Sequence, residues 1–185
     1  MNPQSDHSKL LERAAKGDRH SFGEFYELHL NEIYRYIFFR VSDHNEAEDL
    51  TTKVFLEAWE RLTDKRQKQE IKNVRAWIYR IAHNKVIDHY RTGKLQAPLD
   101  DNSNKELQTP SLESETDGLF VSQKLADGVR RLPANYQQVI ILRFINQMSH
   151  AEVAGIMRIT ENHVRILQHS ALLQMREIIS EANNE

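Results

Sequence analysis

Between Thr92 and Ser122 the chain loses every apolar period, and that gap limits what 185 residues can build. The stretch holds Gly93, Pro98, Pro110 and Gly118, several Ser, Asn and Thr, and six acids against Lys94 and Lys105. Such a composition buries too little apolar surface to offset the entropy of ordering, so it predicts a flexible acidic linker over 93–122. A chain of this length, 39% hydrophobic, has material for one sizeable core or two small ones, and the gap favours two. The expected fold is all-α: two small helical domains, 1–92 and 123–185, joined by that linker.

The first domain centres on residues 71–91, IKNVRAWIYRIAHNKVIDHYR. At about 100° per residue, Val74, Trp77, Ile78, Ile81 and Ala82 share an apolar arc. Arg80, His83, Asn84 and Arg91 fall largely on the opposite arc, with Arg75 and Lys85 at the margins. This spacing predicts a helix with one core face and one face suited to a polyanion. Asp88 projects toward the buried arc, where a pairing with a nearby Arg or Lys is expected. Upstream, Ser8 to Lys16 reads as a short helix stopped by Gly17, and Asp18 or Ser21 starts a second helix running to about Arg40. Its stripe of Phe22, Phe25, Tyr26, His29, Ile33, Tyr36 and Ile37 reads as core. Asp43 and Glu46 resemble a capping box opening a helix to Leu62. That helix buries Ala47, Leu50, Val54, Phe55, Ala58 and Leu62 and leaves Leu56 among Asp49, Thr52, Lys53, Glu57 and Glu60. Residues 63–73 read as a basic loop.

In the second domain Leu132-Pro133 opens a helix carrying Tyr136, Val139, Ile140, Leu142 and Phe144. Ser149 and Glu152 form an S-x-x-E box that starts a short helix, Arg158-Ile159-Thr160 makes a turn, and a third helix follows from Glu161 to about Ser180. Short helix, tight turn and longer helix describe a helix-turn-helix. Projection places Val164, Leu167, Ala171, Leu172, Met175, Ile178 and Ile179 on one arc, with Asn162, Arg165, Ile166, His169 and Arg176 on the other. The outward set offers base-edge donors and acceptors, a phosphate partner and an apolar group for a thymine methyl.

Charge is segregated along the chain. Residues 43–60 carry six acids against Lys53, 61–91 carry nine Lys or Arg against three acids, and the second domain nets only +1. This succession points to separate surfaces for separate partners. With no cysteine, disulfides and thiolate metal sites are excluded, which is compatible with a reducing cytoplasm. No apolar run reaches the ~20 residues of a membrane span, so a soluble, cytoplasmic protein without membrane insertion is expected. Nine histidines do not make a metal site: His83 and His89, like His163 and His169, are six apart and point to different sides of their helices. No HExxH, phosphate loop or nucleophile elbow is present, so neither enzyme activity nor a cofactor is expected. Two alternative readings are a two-domain helix-turn-helix transcription regulator that acts alone and a helical scaffold that only binds a partner protein.

The stretches FGEFYELHLNEIYRYIFFR, EAEDLTTKVFLEAW, VRAWIYRIAHNKVIDHYR, LPANYQQVIILRFINQMSHAEVAGIM and VRILQHSAL, in that order, resemble bacterial RNA polymerase sigma factors of the extracytoplasmic-function (ECF) group, with their regions 2 and 4. The resemblance implies a transcription initiation factor that binds core RNA polymerase and promoter DNA, with an anti-sigma factor as an inhibitory partner. It implies polymerase binding by Asp49, Thr52, Lys53 and Leu56. It assigns the minus-ten element to Arg80, His83, Asn84, Lys85 and Arg91, and the minus-thirty-five element to Arg143, Arg158, Asn162, Arg165, Ile166 and His169. Asn84 matches the asparagine that contacts an extruded base. Thr52 and Lys53 stand where the family often has glutamine and an acid, Met157-Arg158 where glycine is common, and Ser170 where arginine is common. The family character and the low charge of the second domain together imply recruitment by polymerase.

Overall fold

The computed structural model describes residues 3–64, 71, 73–96 and 123–182, all of them in helices or short connections, with no strand among them. Most of the predicted linker and of the basic loop at 63–73 lies outside the described residues.

The helices are α1 (Pro3–Ala14), α2 (Arg19–Val41), α3 (His44–Thr63), α4 (Val74–Gln96), α5 (Gln123–Arg130), α6 (Ala134–Ile140), a π turn (Ile141–Ile145), α7 (His150–Met157) and α8 (Glu161–Ala182). Their starts follow local chemistry. Asp18 caps α2 by accepting from the backbone N–H groups of His20 and Ser21, and Asp43 caps α3 through Glu46 N. The Glu46 carboxylate pairs with His89 on α4 at 3.3 Å. Asn73 Oδ1 accepts from Ala76 N at 2.8 Å, so α4 begins at Val74 rather than residue 71 and continues through Gly93 to Gln96. At Gly17, a φ of +92° ends the α1 segment in the left-handed region open to glycine.

In the first half α2 packs on α1 and α3, and α4 crosses both α2 and α3. Phe25, Ile33, Tyr36, Ile37, Val54, Ile78, Ile81 and Val86 fill this core. In the second half α8 carries α6 and α7, with Val139, Leu142, Val153, Val164 and Ala171 buried between them. The two halves are not separate bodies. Helix α5, which the sequence reading did not resolve, packs against both α2 and α8, and α7 packs against α4. The buried apolar residues form one continuous cluster through both halves.

Four expectations are corrected. Tyr26, Leu172 and Ile179 lie on apolar arcs yet are exposed; Leu172 and Ile179 stand seven apart at the edge of the α8 arc, beside the buried Ala171, Met175 and Ile178. Asp88 is exposed as well, although its expected pairing is present as a contact with Arg91 at 3.2 Å.

Candidate nucleic-acid interface

Helix α4 is buried on more sides than its apolar arc requires. Besides Trp77 and Ile78, the intervening Ala76 and Tyr79 are buried, because α2 and α7 flank its first half. That burial divides the predicted minus-ten residues. Asn84 and Arg91 stand exposed on the second half. His83 is half-buried, its Nδ1 3.2 Å from Tyr36 Oη, and burial, aided by the Arg40 charge, lowers its pKa. A neutral ring at physiological pH offers hydrogen-bonding edges rather than a charge. Lys85 pairs with Glu57 on α3 at 2.5 Å, and Glu57 also takes Arg61. Against its burial, those two cations keep the Glu57 pKa below the ordinary value. Arg80 donates from Nη2 to Gly155 O at 2.8 Å, so it reaches across to α7.

A polar cluster missed in the sequence reading lies beside it. Arg75 Nε and Nη2 donate to Glu32 Oε2 at 3.0 and 2.6 Å, while Arg75 Nη1 donates to Glu152 Oε1 at 2.7 Å. Tyr79 Oη donates to Glu32 Oε2 at 3.1 Å, and Asn146 Nδ2 reaches both Glu32 O and Tyr79 Oη at 2.8 Å. Burial opposes the Glu32 charge, but the His29 hydrogen bond and Arg75 outweigh it and hold Glu32 down to about 2. Burial pushes the Tyr79 phenol well up. The one signal in the sequence was Asn146 itself, an amide following the apolar run from Val139 to Ile145.

The acidic face of α3 is open. Leu56 is 56% exposed, Asp49 and Lys53 pair at 2.5 Å, and Thr52 donates to Glu48 O at 3.0 Å. Tyr26 packs edge-on against Phe55, the neighbour of Leu56, with ring centroids 4.7 Å apart. An apolar point amid charged side chains suits contact with another protein.

On the second half the helix-turn-helix forms as expected. The Ser149–Glu152 capping box is complete, Arg158 ends α7 with a φ of 57°, and Thr160 Oγ1 accepts from His163 N at 3.2 Å to start α8. Asn162, Arg165, Ile166 and His169 line one exposed face of α8, with Arg165 touching Glu161 at 3.3 Å. Arg158 is exposed in the turn. Arg143 is engaged internally, donating from Nε to Gln168 Oε1 at 3.0 Å and from Nη1 to Met148 O. That guanidinium fixes the approach of the π turn to α8. No group of three or more metal-ligating side chains occurs among the described residues.

Comparison with known proteins agrees with this geometry. Residues 25–95 match the model of Sigma-70 region 2, and residues 128–177 match that of Sigma-70, region 4. The "ECF RNA polymerase sigma factor BldN" of Streptomyces coelicolor is 32% identical over 175 residues, covering 92% of this chain and 65% of that protein. The "ECF RNA polymerase sigma factor SigM" of Bacillus subtilis is 22% identical over 162 residues, covering 88% of this chain and 97% of its own. Among solved structures, CnrH in complex with the cytosolic domain of CnrY shares the fold with a TM-score of 0.68 at 20% identity, covering 95% and 98% of the two chains. The sigma factor RpoE from Bartonella quintana, solved with the anti-sigma factor NepR, gives 0.64 at 20% identity over 86% and 96%.

Proposed function

Since the chain belongs to the extracytoplasmic-function group of RNA polymerase sigma factors, we propose that it joins core RNA polymerase, brings it to specific promoters and helps open the DNA. The observation that carries this reading is the match of both family regions, in order, to two helical halves that each expose a distinct polar face. The α3 face around Leu56 and Asp49 docks on polymerase. Asn84 and Arg91 on α4 hold the extruded minus-ten strand, where amide and cationic groups offset the cost of unstacking. Asn162, Arg165, Ile166 and His169 read the minus-thirty-five duplex, with Arg158 on a phosphate. The protein acts by binding and carries out no reaction of its own, and its place is the cytoplasm; no described helix is long and apolar enough to cross a membrane.

An anti-sigma factor is the inhibitory partner. The solved structures of similar fold, CnrH and RpoE, are named in complexes with the cytosolic domain of CnrY and with the anti-sigma factor NepR. Ile166 and Leu173, seven apart on α8, are exposed and available to such a partner. Run-off transcription with purified core polymerase tests the main reading: promoter-directed starts support it, and failure to associate with core at low salt overturns it.

A further inference from the structure

Away from the seam between the two halves, helix α8 opens on a carboxylate that the base-reading set leaves out. Glu161 is its first residue, with 48% of the side chain open to solvent. Thr160 already caps the helix by accepting from His163 N, so Glu161 is not needed for that end. Its Oε2 accepts from Arg165 Nη2 at 3.3 Å, one turn on, and the carboxylate makes no other hydrogen bond or ion pair among the described residues.

A negative charge at this place is costly in a helix that approaches DNA. The second half nets only +1, so little positive charge masks the carboxylate from the phosphates. What it can gain in the major groove is narrow, because it only accepts: its partners there are the exocyclic amines at cytosine N4 and adenine N6. Adenine sets its N7 acceptor beside the amine, and that lone pair faces a carboxylate unfavourably; cytosine carries no acceptor there. Arg165 has the opposite chemistry. Its guanidinium only donates, and its planar head fits guanine O6 and N7 together. With the two heads 3.3 Å apart, the bases they touch lie within one step of a stack whose rise is roughly 3.4 Å.

Resting on the sigma-factor reading, we propose that Glu161 is a specificity-determining residue for the minus-thirty-five element: it accepts from cytosine N4 in the major groove and holds the Arg165 guanidinium for the guanine of the same or the neighbouring base pair. A recognition helix enters the groove by its N-terminal end, where both side chains stand exposed. Holding Arg165 by a carboxylate removes part of the rotamer freedom that a bidentate contact would otherwise cost.

Transcription by the full chain with core polymerase, from promoters randomised over the minus-thirty-five element, tests this. The parent should favour guanine where Arg165 reads and, no more than one step away on either strand, cytosine over adenine by about tenfold. Arg165→Lys keeps a charge but loses the paired donors, so it should lower the guanine preference and thereby mark its position. Glu161→Gln replaces a pure acceptor with an amide that suits adenine N6 and N7, so the nearby preference should turn from cytosine to adenine. Glu161→Asp keeps the charge at the helix start but falls short of the groove, and should lose the cytosine preference without gaining adenine. If Glu161→Gln loses helical signal by circular dichroism, the proposal stands or falls on Glu161→Asp. Base preferences unchanged in the folded Glu161 variants overturn it, including the case in which Glu161→Gln binds every sequence more tightly alike because the carboxylate only repels phosphates. A parent with no cytosine preference within one step of the guanine marked by Arg165→Lys overturns it too. Absence of promoter-directed transcription by the parent would instead overturn the sigma-factor reading.

Discussion

Glu32 is the residue on which the electrostatics of the seam turn. It accepts from His29, Arg75 and Tyr79, and its folded pKa falls from 4.5 to about 2, while Glu152 is lowered too, its burial outweighed by Ser149 and Arg75. A depressed carboxylate contributes stability above its unfolded pKa and loses it as pH falls through the folded one. Urea unfolding should therefore show a loss of ~3 kcal/mol from Glu32 between pH 4.5 and 2, and Glu32→Gln should flatten that part of the profile. On the DNA side, Asn84→Ala should cut promoter opening about tenfold in permanganate footprinting while closed-complex formation holds, since the role proposed for this amide is contact with an extruded base alone. Arg165→Ala should weaken duplex binding at the upstream element about tenfold without a separate effect on opening. Equal losses in both assays for either change would refute that division. Asn84 and Arg165 could be placed from sequence because helical projection suffices for an exposed side chain. Arg143 and Arg80 could not: each is drawn inward by a carbonyl, Met148 O or Gly155 O, that projection does not locate.

Among the elements, the α7–α8 pair shows how far local chemistry reaches. Ser149, Glu152 and Thr160 announced both helix starts, because a cap involves residues three apart. Ser149→Ala should cost ~1 kcal/mol, read as a lowered melting temperature. Arg158 ends α7 in the left-handed region, at a conformational cost that glycine avoids. Arg158→Gly should therefore raise stability by ~1 kcal/mol while weakening DNA binding, a divergence visible by comparing melting with upstream-element affinity. Helix α5 escaped notice because its few apolar residues, Leu125, Ala126, Val129, acquire meaning only when α2 lies opposite. Leu172 and Ile179, at the edge of the α8 arc, misled for a related reason: periodicity indicates a face, not how wide a strip of it the neighbours cover.

For the whole molecule, the sequence yielded the all-α class and the two halves but not their union, whose bonds span 75 to 114 residues along the chain. Overall charge is −2 and the second half is nearly neutral, so the free chain lacks the phosphate-neutralising excess of an autonomous DNA binder. Without polymerase, its affinity for duplex promoter should be weak, with a shallow slope of log affinity against log salt equivalent to only a few phosphate contacts. Filter binding at two salt concentrations would check it; a steep slope would mean the recognition half docks by itself.

The π turn at Ile141–Ile145 sets the direction in which Asn146 leaves the second half, with Asn146 N bonded five residues back to Ile141 O at 2.9 Å. Such a turn holds one residue more than an α-helix needs to cover the same path. A one-codon deletion there would leave an ordinary helical turn over the same path and keep Asn146 facing Glu32 and Tyr79. The π turn thus absorbs a residue, and the chain can change in length here by one codon without moving the amide that joins the halves.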